Sequence, residues 1–194
     1  MPLLSGKMLK EAKTKALQKI VFDGFRSPLV WMSHAQELYA SAKVLWKKSS
    51  RLRRVESNPL ARRLSRLLSV RLDRYQRPGF LLIGLAIENV AKGIVIGLAD
   101  ESEQESALQD LSKNHDIRTV LSKIPQNLRP KYDGKVVEAL ENHIVWASKY
   151  PVPKKGDDYS SELEPKDFEE IEKLYVALIW LGLEMCKDDI GQLP

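Results

Sequence analysis

The sequence predicts an all-α protein: an up-and-down bundle of four to five core helices, with an additional N-terminal amphipathic helix and an arginine-rich helix. Three observations predict it. A very apolar run of helix length occupies Phe80 to Ala99, several other segments space their apolar residues three and four apart, and no stretch sustains the two-residue alternation of a strand. At 194 residues, 43% of them hydrophobic, the chain can bury one sizeable core. Residues 1–194 therefore read as a single domain, with an arm over 1–27 and the bundle over 28–189.

Between Gly6 and Val21, Leu9, Ala12, Ala16 and Ile20 recur at helical spacing among lysines, which describes the amphipathic arm. DGFRSP (Asp23 to Pro28) interrupts it. Ser27 reads as an N-cap with Pro28 at the first helical position, opening a helix to about Lys48. Asn58 and Pro59 open a third segment, where Leu60, Leu64, Leu67, Leu68 and Leu72 form a stripe and Arg62, Arg63, Arg66, Arg71 and Arg74 lie largely elsewhere. Arg77, Pro78 and Gly79 are expected to end it before the apolar central helix begins. Residues Asp100 to Asp110, acidic and polar, read as a connection. NHDIRTVL (Asn114 to Leu121) starts a short helix capped by Asn114 or Asp116 and limited by Pro125 and Pro130. A further helix spans about Asp133 to Ser148 and stops at Tyr150 and Pro151. After a polar loop over Pro153 to Glu164, a last helix begins near Pro165, with Phe168, Ile171, Tyr175, Leu178, Gly182 and Met185 on one face.

Glu88, Asn89 and Lys92 sit in the middle of the Phe80 to Ala99 run, where bilayer burial would be expensive, so this helix is expected inside protein and no membrane partner is expected. The N-terminal lysines precede no signal-length apolar stretch, and the single Cys186 reads as core filler. Both fit a reducing cytoplasm.

Charge is strongly segregated. Residues 1–46 carry 7 basic and 3 acidic groups, 47–77 carry 11 and 2, 78–150 carry 8 and 10, and 151–194 carry 5 and 11. The basic segment 47–77 suits a polyanion such as RNA or DNA, or an acidic protein face. It has no aromatic residue between Lys47 and Tyr75, so the nucleic-acid reading rests on phosphate contacts, with Arg62, Arg63 and Arg66 as candidates.

Four groups of residues are candidates for chemistry or binding. Glu88 and Lys92 lie one turn apart on a helix, with Asn89 beside them. They read either as a polar cleft for a phosphate or base, or as an internal ion pair, the commoner arrangement. His115, near a helix start with Asp116 and Arg118, reads as a turn-ordering residue. His143 is a candidate general acid or base, with Asn142 or Lys149 to stabilise a phosphate, against the commoner structural role of a lone helical histidine. Trp146 and Tyr150 could stack a base beside Lys149, or pack a helix end. No metal-ligand spacing, phosphate loop or nucleophile elbow is present in the sequence, so neither a metal nor a cofactor is expected.

Three of these segments together resemble the HEPN family of helical bundles: LAIENVAKGIVIG (Leu85 to Gly97), NHDIRTVL and WASKYPVP (Trp146 to Pro153). The first is similar to that family's buried helix with Glu and Lys one turn apart. The second is similar to its GHDL turn with Asn114 for glycine, and the third to a tryptophan-to-YP helix end with Lys149 for arginine. The resemblance spans residues 80–153 and implies a four- or five-helix bundle, frequent homodimers, and RNA or nucleotide binding, often in bacterial toxin–antitoxin or antiviral defence systems. Many HEPN proteins are metal-independent ribonucleases whose signature is an arginine, a polar residue and then a histidine, with four to six residues between the arginine and the histidine. That signature is missing: Arg26 and His34 have seven residues between them, Pro28 included.

The expected function is a catalytically degenerate HEPN-like module that binds RNA, a nucleotide or a partner protein, as a homodimer. The alternatives are a metal-independent endoribonuclease centred on His143 with Asn142 and Lys149, and an adaptor whose basic helix docks an acidic protein. Glu88, Asn89, Lys92, Arg62, Arg63, Arg66 and Tyr150 are the expected ligand contacts.

Overall fold

A computed structural model describes residues 24–56, 65–113, 115–144, 163 and 165–187, with backbone alone for 52–56, 65–74 and 165. The expected arm over Gly6 to Val21 and the helix end at Trp146 to Pro153 lie outside these residues. The described chain is all-helical, with no strand among the described residues.

Helix α1 spans Pro28–Glu56 and starts as its Ser-Pro signal predicts, with the Val30 amide on the Ser27 carbonyl at 3.2 Å. It runs eight residues beyond the expected end at Lys48. The apolar periodicity fades there, but no glycine or proline follows until after Glu56, and arginines are good helix formers. Helix α2, Ser65–Leu98, also corrects an expectation: Pro78 lies inside it and does not separate an arginine-rich helix from an apolar one. Proline there removes one backbone donor and crowds the preceding turn, at a cost of about 3 kcal/mol. Packing on both sides of the break offsets that cost, since Gly79 and Phe80 are buried directly after it.

Helices α1 and α2 form an antiparallel hairpin. Gly79 lies against Ala42 and Leu45, Gly93 against Trp31, and Gly97 against Pro28, so one numbering rises as the other falls. Helix α6, Pro165–Met185, joins them antiparallel to α1. Phe168 stacks on Trp46 with ring centroids 4.2 Å apart, Tyr175 stacks on Tyr39 at 4.2 Å, and Gly182 meets Met32. Its buried face is the one that the three-and-four spacing predicts.

The other side of α2 is covered by three short helices, α3 (Gln104–Lys113), α4 (Ile117–Ser122) and α5 (Gly134–Asn142). Helix α3 occupies most of the stretch expected to be a plain connection. Leu108 and Leu111 bury one edge of it, and Glu105 in its first turn and Lys113 in its last complement the helix dipole. Asp116 caps α4 by accepting from the Thr119 amide at 3.0 Å, and Asp133 caps α5 by accepting from the Lys135 amide at 2.8 Å. Ile83, Ile87 and Ile94 of α2, Ile117 and Leu121 of α4, Leu140 of α5 and Ile171 of α6 are fully buried and form one core. Cys186 is buried at its margin.

The segment Tyr75–Leu98 has the length and hydropathy of a membrane span, yet α1, α4, α5 and α6 pack around it and 61% of its most apolar window is buried. It is the core helix of the bundle. Val176 and Trp180, one turn apart on α6, are exposed on the outer side.

Candidate functional site

The pattern Glu88, Asn89, Lys92 separates on folding. Residues four apart share a helix face, whereas the next residue is turned about 100° away. Glu88 and Lys92 accordingly point into the protein, with 4% of each side chain exposed and Lys92 Nζ 2.6 Å from Glu88 Oε1. His115, at the turn before α4, adds a second contact to the same oxygen, Nδ1 to Oε1 at 2.9 Å, while its ring stays 64% exposed. Glu88 Oε2 is buried with no hydrogen-bond partner among the described residues. This is an internal ion pair with a histidine at its rim, and neither Glu88 nor Lys92 lines the cleft that Asn89 reaches.

Immediately after His115 the chain builds a second polar cluster. Glu141 of α5, buried, accepts from the Arg118 amide at 2.5 Å and from Arg118 Nε at 2.6 Å. Burial, and a hydrogen bond with Asp116, push the Glu141 carboxyl up to about 7, against the pull of Arg118. The same bond to Glu141 holds Asp116 below its ordinary range. Asp116 and Glu141 thus lie together at the cap of α4.

The sign of the resulting pH dependence follows. The ordinary value for Glu141 is 4.5, so stability from its protonated form is complete below that pH and is lost as pH rises through about 7. Asp116 contributes above its ordinary 3.8 and loses its contribution in stronger acid. Burial lowers His143 from 6.5, which gives an opposing slope near neutrality, so the Glu141 effect is isolated by substitution. Glu141→Gln keeps a donor toward Asp116 without an ionisable proton. Its thermal midpoint should fall less between about pH 5 and pH 8 than that of the wild type, and equal falls would refute the raised Glu141 carboxyl.

His143 sits at the end of α5, packed against α2. It is largely buried, its Nε2 lies 3.1 Å from the Arg77 carbonyl, and its ring meets Phe80 edge-on at 5.8 Å. With Nε2 donating to that carbonyl, burial keeps the ring neutral. Asn142 is exposed beside it. Lys149, Tyr150, Arg62 and Arg63 lie outside the described residues, and Arg66 is placed by its backbone alone.

Asn89 reaches the one described open cleft. It lies at the α1–α2 seam, holds about 430 Å³, and is lined from α1 and its approach by Phe25, Trp31, His34, Glu37, Leu38 and Ser41. Periodicity already places His34, Leu38 and Ser41 on one stripe of α1, but only the hairpin register sets that stripe opposite Asn89. A polar contact between α1 and α6 was equally illegible: Tyr39 and Lys43 both donate to Glu172. The hairpin also brings both halves of the basic segment to one end of the bundle, because Ala42 and Leu45 lie opposite Gly79 and Lys48 Nζ sits 4.7 Å over the Tyr75 ring. Lys47, Lys48 and Arg51 are exposed there.

No protein-family model, curated protein or solved structure matches this chain.

Proposed function

We propose that this chain is a binding module for RNA or a nucleotide, held on the basic end of the α1–α2 hairpin and acting by capture instead of cleavage. The observation that carries this reading is the fold-back of segment 47–77. Lys47, Lys48 and Arg51 near the end of α1 share one end of the bundle with the backbone positions of Arg66, Arg71, Arg74 and Arg77 in α2. Nine of the segment's eleven basic residues are among those described, and all nine lie on these two helix stretches. Such a region attracts a polyphosphate backbone through many weak contacts and counterion release.

The motif resemblance of residues 80–153 to HEPN bundles supports the same reading. The partly buried setting of His143, held on the Arg77 carbonyl and against the Phe80 ring, favours binding over hydrolysis, since a general base must reach its substrate. A gel-shift series with a single-stranded RNA tests the proposal. Six phosphate contacts to a single strand would weaken binding by about 300-fold between roughly 50 and 200 mM salt. Absence of a shifted band at the low-salt end would overturn it.

A further inference from the structure

Resting on the RNA-binding reading, we infer that the cleft beside Asn89 holds one unstacked base of the bound strand. Its volume of about 430 Å³ falls within the range of small-ligand pockets, roughly 300 to 1,000 Å³, and is ample for a planar heterocycle. Its wall is preformed. Trp31 Nε1 donates to the Phe25 carbonyl at 2.7 Å, and the two rings sit 5.5 Å apart at 56°, which makes an aromatic corner that needs no rearrangement to receive a base.

Asn89 faces this corner from α2 with a carboxamide, which offers a donor and an acceptor side by side. That pairing matches the edge of a nucleobase, best that of adenine. The remaining polarity identifies which part of a nucleotide enters. Glu37, exposed at the rim, repels phosphate, so the backbone stays outside and the base goes in. Ser41, Leu45 and Lys48 continue along the same stripe of α1 at helical spacing, which places Lys48 about 10 Å beyond Ser41. A strand whose phosphates lie on the basic end can therefore deliver a base to the cleft from that side.

The test compares a short oligoadenylate with an abasic oligomer of equal length and charge, by fluorescence anisotropy on the whole chain. The wild type should bind the oligoadenylate about tenfold more tightly, the gain of one stacked and hydrogen-bonded base. Asn89→Ala, at a half-exposed position outside the core, should lose most of that preference while keeping its affinity for the abasic oligomer. Equal affinities of the wild type for the two oligomers would overturn the base site and leave backbone binding standing. Failure to bind either oligomer would remove both proposals. A preference that survives unchanged in Asn89→Ala would place the base elsewhere and also overturn the inference.

Discussion

Replacing Lys92 with methionine should destabilise the protein by about 3 to 5 kcal/mol, measured as the loss in unfolding free energy from urea denaturation. The lysine and Glu88 each expose only 4% of their side chains, and Glu88 already carries one oxygen, Oε2, without a partner among the described residues. Methionine preserves length and apolar packing but removes the only buried cation at the carboxylate among the described residues. His115 then remains on Oε1 from an exposed position, where water screens it. The penalty arises from the charge left behind, so Glu88→Leu combined with Lys92→Met should recover most of the loss. A single variant within about 1 kcal/mol of the wild type would mean that Glu88 is not held as a buried carboxylate.

The Gly93→Val variant should cost about 2 to 3 kcal/mol by the same measurement and should also weaken binding at the cleft. A β-carbon at Gly93 would stand 2.8 Å from Trp31 Cβ and 3.3 Å from the Pro28 carbonyl oxygen. Neither is the tip of a flexible side chain, so α1 and α2 must move apart at this contact. Greater helix propensity than glycine offsets only a fraction of that, well under 1 kcal/mol for a β-branched residue. Gly84 makes the useful contrast. Its β-carbon would meet the far atoms of Ile144, which can rotate away, so Gly84→Ala should cost less. If Gly93→Val retained full stability, the hairpin register that aligns both the basic end and the cleft would be wrong.

Most of the fold is legible in the sequence because apolar spacing reports burial directly. The face of α6, the Ser-Pro start of α1 and the Asp116 cap are local signals, and each is read from neighbouring residues. The departures have a common cause. Pro78 and the polar stretch before Asp110 carry local breaking signals, which are overruled by contacts between elements distant in sequence, namely Phe80 in the core and Leu108 and Leu111 against α2.

The sites divide in the same way. That Glu88 and Lys92 share a face is a property of helix geometry, whereas the separation of Asn89 into a cleft depends on where α1 lies. Glu141 gave no sequence signal. It stands 25 residues beyond Asp116, and only the packing of α5 on α4 turns an ordinary surface glutamate into a buried one whose carboxyl is pushed up to about 7.

The central claim is that the folded-back basic end contacts a nucleic-acid backbone, and charge reversal on α1 addresses it most directly. Lys47→Glu, Lys48→Glu and Arg51→Glu together alter exposed side chains outside the core, so the fold should persist by circular dichroism. Affinity for single-stranded RNA, measured by anisotropy across a salt series, should fall at least about tenfold, and the slope of log affinity against log salt should become shallower by about 2. An unchanged affinity and slope in this variant would contradict the account.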